Sequence, residues 1–217
     1  MNKWQSVDIC AARFTRLEPN GVPDPGANNV IVTTDLVQVA YTFEVEAGVR
    51  STQRNGCGGI CFTRETPDKA LGSNAVFDLC FTDAELMELA TGATLLTQSG
   101  ESIGWALRSP DAAAVGSVGV ETWSLAWDND QQMIHPITGA AAYLRRVWPS
   151  MKFSLAGNPT QAEGLSIQQI SGKGVANDNF YDGPANDLPL GYDGAYLEFL
   201  SAAPPAATDG YATLAAS

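Results

Sequence analysis

His135 is the only histidine in this sequence, and a nucleophile–histidine–acid triad would have to use it. It is followed by Pro136 and then Thr138-Gly139, which is turn chemistry, and no Gly-x-Ser-x-Gly elbow presents a serine to it. A plain loop histidine accounts for it better. Cys57-x-x-x-Cys61 looks like half a zinc site, but structural zinc needs a second pair of cysteines or histidines, and Cys10 and Cys80 stand alone. On a strand, positions 57 and 61 share one face about 13 Å apart, too far for one metal unless the intervening glycines bend the chain. All four cysteines lie in or beside apolar runs and are expected to be buried free thiols. Asp128-Asn129-Asp130 and Asn177-Asp178-Asn179, with Asp182, offer oxygen ligands, yet neither fits a twelve-residue calcium loop ending in glutamate. Asn and Asp also make turns through their own backbone. Gly172-Lys173-Gly174 lacks the rest of a phosphate-cradling loop. Trp123, Trp127 and Trp148 could stack on a sugar ring, but Trp123 and Trp127 alternate with small residues, as a core does. No catalytic residue, cofactor or metal site is therefore expected, and the chain is not expected to be an enzyme.

The stretch around which the rest is organised runs from Asn29 to Thr66. From Val37 it alternates strictly. Val37, Val39, Tyr41, Phe43 and Val45 take one face, and Gln38, Ala40, Thr42, Glu44 and Glu46 take the other, so one face is apolar and one is wet. β-Branched and aromatic residues suit such a pleated, half-buried surface. The chain then passes through a loop over 47–56 and returns over Gly59–Thr66, where Thr66-Pro67-Asp68 is expected to end it. The outgoing arm could be two to three times the usual five or six residues. A ribbon of that length extends beyond its own core, and its edges are suited to pairing with something outside.

Other elements follow in order. Asp8–Leu17 reads as a strand ending in the turn Glu18-Pro19-Asn20-Gly21. Asn74–Phe81 is another strand. Thr82-Asp83-Ala84-Glu85 is a capping box that opens a short helix over about 82–91, with Leu86, Met87, Leu89 and Ala90 as its apolar stripe and Gly92 closing it. This helix is expected to plug one end of the core. Ala93–Gln98 and Ser102–Leu107 are weaker strands, and Glu121–Trp127 is a strong one. Tyr143–Leu155 is a second long arm, in which Pro149 demands a bulge or an edge. Gly164–Val175 and Tyr196–Leu200 complete the set. The simplest account is one mainly-β domain over 1–200, a sandwich or barrel with long protruding hairpins and one short flanking helix, followed by an extended Ala/Pro/Gly-rich tail over 201–217.

The 217 residues are 45% hydrophobic, enough for a substantial core, and only 17% charged. A surface so poor in charge is either covered by neighbours or rich in Ser, Thr, Asn and Gly. The net charge of −12 is uneven, since residues 1–66 carry six basic and seven acidic side chains, and 67–217 carry six and seventeen. An acidic surface repels phosphate backbones, which excludes a sequence-reading DNA binder but suits nucleic acid that must slide past. Lys3 and Trp4 lead into a mixed strand instead of an apolar leader, and no apolar run approaches the roughly twenty residues of a membrane span. The chain is thus expected to fold in a cytoplasm with reduced thiols and no membrane span.

Several stretches together resemble the major tail tube proteins of long-tailed bacteriophages, particularly those infecting actinobacteria. They are Ala12-Arg13-Phe14-Thr15-Arg16-Leu17-Glu18-Pro19-Asn20-Gly21, the valine-rich strand ending at Glu44-Val45-Glu46-Ala47-Gly48, Gln53-Arg54-Asn55-Gly56-Cys57-Gly58-Gly59-Ile60-Cys61, Phe77-Asp78-Leu79-Cys80-Phe81-Thr82-Asp83-Ala84-Glu85-Leu86 with Thr91-Gly92, and Asn179-Phe180-Tyr181-Asp182-Gly183-Pro184. The resemblance covers the first hundred residues best and consists of strand and turn patterns, with no catalytic signature.

The resemblance implies a β-sandwich subunit that forms hexameric rings stacked into a tube, with long hairpins lining a lumen through which genome DNA passes into the host. The partners it implies are further copies of the chain and other tail proteins (tape measure, terminator and tail tip). Its location is the virion tail, assembled in the host cytoplasm. Gln38, Thr42, Glu44, Glu46, Thr63 and Glu65 become candidates for inter-subunit pairing and the lumen, where acid would keep DNA sliding. For Glu44 and Glu46, an outward solvated face remains the alternative. Arg50, Gln53, Arg54 and Asn55 become candidates for ring stacking, as a loop that orders when rings meet. A carbohydrate-binding β-sandwich module, or another virion protein such as a tail terminator or head decoration subunit, is the competing account.

Overall fold

The computed structural model describes residues 5–24, 29–81, 83–108, 116–128, 131–155, 167–180, 188, 194–201 and 204. The strands are β1 (Gln5–Arg16), β2 (Val30–Thr33), β3 (Leu36–Glu46), β4 (Arg50–Arg54), β5 (Ile60–Glu65), β6 (Lys69–Leu79), β7 (Thr94–Gln98), β8 (Glu101–Ala106), β9 (Val118–Asp128), β10 (Gln131–Gln132), β11 (Tyr143–Leu155), β12 (Gln168–Gly174) and β13 (Leu197–Ser201). The helix α1 spans Ala84–Thr91. The protein is mainly β, as the alternating patterns imply.

Nine strands form one antiparallel sheet in the order β2-β1-β9-β11-β12-β6-β3, with β10 added to β9 and β13 to β11. β11 gives one edge to β9 and divides the other between β13, over Tyr143–Val147, and β12, over Met151–Leu155. Pro149 lies where the β9–β11 register shifts, between Trp148 and Met151, and so removes no regular ladder bond. β1 and β6 are four steps apart in this order, about 19 Å if the sheet were flat. Yet the rings of Phe14 (β1) and Phe77 (β6) lie 5.8 Å apart, and Phe14 also meets Phe153 of β11 at 6.1 Å. The sheet therefore curls until its two halves face each other, as in a sandwich or barrel. Phe14, Ile31, Leu36, Phe77, Val120, Trp148, Met151 and Ile170 fill the space between them.

α1 closes this core with Leu86, Met87, Leu89 and Ala90, all buried, as the apolar stripe anticipates. Its N-cap is Asp83, one residue beyond the expected Thr82, which lies outside the described residues. The Asp83 carboxylate accepts the backbone N–H groups of Glu85 and Leu86, both at 3.0 Å, and a carboxylate there also complements the helix dipole. Gly92 ends the helix in the left-handed region, at φ 66°, where a side chain would be strained.

The opposite face of β9 and β11 is also buried. Leu17, Val147, Phe180 and Leu188 form a second cluster there, with Leu197 and Phe199 packed against it. On the same face Glu121 sits between two guanidinium groups. Arg13 Nε donates to its Oε2 at 2.5 Å, and Arg145 donates to its Oε1 through Nη2 and, at 3.1 Å, through Nε. Glu121 and Arg145 are 0% and 1% exposed. Both guanidiniums lie over the Trp123 ring, at 5.4 and 5.0 Å from its centroid. Two cations held by one carboxylate and an aromatic face form a charged pin through the middle of the sheet.

Candidate assembly interface

The ribbon is longer than its sequence suggests, and its return arm differs. β3 pairs with β6, from Leu36↔Leu79 to Glu46↔Lys69, while β4 and β5 form a separate two-stranded sheet from Arg50↔Glu65 to Arg54↔Ile60. Thr66-Pro67-Asp68 is thus a joint and not the end. Across it, Asp68 Oδ1 accepts the Gly48 N–H at 2.7 Å, Thr66 Oγ1 accepts the Val49 N–H at 2.9 Å, and the Thr66 N–H returns to the Val49 carbonyl at 3.2 Å. Side-chain oxygens replace ladder bonds where Pro67 has no donor to give. A Cβ at Gly48 would stand 1.8 Å from the Thr66 carbonyl oxygen, so the joint closes only over glycine. The strand at Arg50–Arg54 corrects the expectation of a loop over 47–56. Arg50, Gln53 and Arg54 lie on β4 and only Asn55 is in a turn, its Oδ1 accepting the Cys57 and Gly59 N–H groups at 3.1 and 2.8 Å.

β3 ends the strand order, so among the described residues its second edge has no partner. A register shift between Leu36 and Gln38 leaves Val37 bulged and exposed, against its expected place on the core face. Val39 and Tyr41 do pack on the core. Beyond them, Phe43, Val45, Val49, Ile60, Phe62 and Leu71 are 52–68% exposed, an apolar series running out along the ribbon. Every residue of β4 and β5 is exposed, including Thr63 and Glu65. Cys57 and Cys61 at the tip, and Cys80, are exposed and Cys10 is half-buried, which corrects the expectation of buried thiols. The apolar neighbours of Cys57 and Cys61 belong to a projecting ribbon and not to a core.

On the polar face, Gln38, Thr42 and Glu46 are exposed and Glu44 is partly covered. Glu44 is paired across the sheet, accepting from Lys173 Nζ at 2.7 Å and from Asn74 Nδ2 at 3.0 Å. These hydrogen bonds, Lys173 first, hold its carboxyl below the usual glutamate range. At the root of the ribbon, Tyr41 stacks on Tyr196 at 5.3 Å, and Phe43 and Trp148 meet the same ring edge-on. The Tyr196 hydroxyl donates to Glu198 Oε2 at 2.5 Å, and Arg146 Nε donates to the same oxygen at 2.9 Å. Burial, then the hydrogen bond to Glu198, raises the Tyr196 phenol well above its ordinary value. This aromatic and ionic clamp was not visible in the sequence, nor was the Arg13–Glu121–Arg145 pin.

The other candidates do not converge. His135 Nδ1 accepts from the Ile137 and Thr138 N–H groups at 3.4 and 3.3 Å, which builds its own loop. Asn177 ties the Gly21 and Pro149 carbonyls together at 2.8 and 3.2 Å, and Asn179 Nδ2 reaches the Asn20 carbonyl at 2.5 Å, so this motif fastens a turn. Asn129, Asp130 and Asp182 lie outside the described residues. Trp123 and Trp148 are buried and Trp127 is half-buried, so they present no common platform. No family model matches this sequence, and a search of curated proteins returns no significant match.

Proposed function

We propose that this chain is a structural, non-enzymatic subunit of a bacteriophage tail tube. In this reading it assembles with its own copies into stacked rings, hexameric as the resemblance implies, whose lumen conducts genome DNA. Tape measure, terminator and tail-tip proteins are its further partners, and the virion tail is its location. The observation that carries the reading is the ribbon from Leu36 to Leu79, with its open edge on β3, its apolar residues in water and its tip clear of the core. An isolated two-stranded sheet is marginal in water, and an open flat edge invites pairing with another chain. Ring closure against further copies would satisfy both. The polar residues Gln38, Thr42 and Glu46 then face the lumen or the adjoining subunit, and the chain's net negative charge keeps DNA from adhering.

Negative-stain electron microscopy of the purified protein, concentrated in stages beside light scattering, tests this. Stacked rings or hollow tubes of constant diameter are the expected result. A single closed ring that never stacks would favour a terminator-type subunit, and a monomer at every concentration would count against self-assembly.

A further inference from the structure

We infer that Lys173, Asn74 and Glu44 form an autocatalytic cross-linking site, in which the Lys173 amine displaces ammonia from the Asn74 side-chain amide and leaves a covalent isopeptide staple between β12 and β6. The bond closes in the folded monomer and requires no partner copy. Lys173 and Asn74 are register partners, as are Asn74 and Thr42, so Lys173, Asn74 and Glu44 stand on one face of three adjacent strands. The backbones run close there. A Cβ at Gly72 would stand 2.4 Å from the Gly174 carbonyl oxygen, and one at Gly174 would stand 2.7 Å from Ser73 Oγ. Glu44 pairs with Gly72, which has no side chain, so the Glu44 side chain can lie across β6 and reach β12. Its carboxylate holds both reactants, with Lys173 Nζ at 2.7 Å from Oε2 and Asn74 Nδ2 at 3.0 Å from Oε1. One residue thus gathers an amine, an amide and a base.

The reaction needs no outside reagent. The hydrogen bonds from Lys173, then Asn74, hold the Glu44 carboxyl below the usual glutamate range, so it is ionised and ready to accept a proton. The Lys173 ammonium gives one proton to Glu44, and the freed electron pair on Nζ forms the bond to Asn74 Cγ. The Cγ–Nδ2 bond breaks with its electron pair on nitrogen. Nδ2 takes the proton held by Glu44 and a second from Nζ, and leaves as ammonium. One amide has replaced another, the positive charge of Lys173 departs with the ammonium, and Glu44 is a carboxylate again. The Lys173 side chain is 56% exposed, so its ammonium keeps much of its hydration and the bond closes slowly. One event per chain is enough, and the ion pair with Glu44 is the state before reaction.

The test incubates the full chain for days at mildly alkaline pH and follows its intact mass. A growing population lighter by one ammonia is expected, and tandem mass spectrometry of a digest is expected to find peptides joined through Lys173 and Asn74. Lys173→Arg keeps a cation beside Glu44 and is expected to give no joined peptide. Glu44→Gln is expected to slow closure about a hundredfold or more, as loss of a general base does. The staple closes a loop of about 100 residues, so the joined form is expected to melt roughly 5–15 °C above the unjoined one. A constant mass at every time overturns the inference. So does an ammonia loss that maps to a succinimide at Asn55-Gly56, or joined peptides that form equally fast in Glu44→Gln.

Discussion

Glu121 shows how much a single side chain can hold. Its carboxylate is shared by two buried guanidiniums, and its loss would take from Arg13 and Arg145 the oxygens to which they donate. Glu121→Gln is expected to destabilise the fold by roughly 3–5 kcal/mol, because breaking a buried pair strands uncompensated charge; urea unfolding followed by tryptophan fluorescence measures it. Glu44 is a milder case on the surface. Its pKa is lowered in the folded state, so its pairing with Lys173 stabilises the fold above the ordinary glutamate range, and that contribution is lost as pH falls through the folded pKa. A carboxyl NMR titration should place Glu44 below an unperturbed glutamate, and Lys173→Met should move it back up; an unmoved midpoint in the variant would refute the assignment. At this scale the sequence was partly opaque. Both faces of β9 are buried, so a period of two could not tell core from second layer, and Glu121, Thr122 and Ser124 passed as ordinary polar positions. Cys57 and Cys61 were misread for a related reason, since apolar neighbours imply burial only where a core lies beneath them.

Among the elements, alternation located β3, and the apolar stripe with Gly92 located α1. Propensity and period act locally, and both elements are written in local signals. Strand partnership is not. β6 begins at Lys69, directly after a Thr-Pro-Asp stretch that normally ends a strand, and the bonds that carry the ribbon across it come from the side chains of Thr66 and Asp68. Gly48→Ala tests that joint. Its Cβ meets a backbone carbonyl that cannot move aside without opening the joint. The variant is expected to keep the melting temperature of the body while amides over 50–65 exchange faster with deuterium; equal exchange would show that the tip does not depend on the joint. In the wild-type protein the same amides should exchange fast in the monomer and slowly once copies associate, because burial by a partner is what an isolated hairpin lacks.

For the whole molecule, body and ribbon should be separable. Replacing residues 47–68 by an Asn-Gly turn between β3 and β6 removes no core side chain, so the variant is expected to melt within a few degrees of the parent and to remain monomeric where the parent assembles. Assembly of the shortened protein would overturn the ribbon's role. The function itself was legible only as a pattern of strands and turns, because assembly surfaces have no catalytic signature to find. The strand order has a further consequence, in time. Arg13 meets Glu121 across 108 residues of chain, so β1, which until then has only β2 to pair with, cannot complete its place in the sheet until β9 has been made, roughly 5 to 20 seconds later at ordinary rates of synthesis. β3 and β6 need only the chain between them. The emerging polypeptide therefore displays its adhesive arm before the body exists to hold it, and such non-local pairing folds slowly. Nascent chains crowded on one message are at their most vulnerable during that delay, and slower expression at lower temperature should raise the soluble yield.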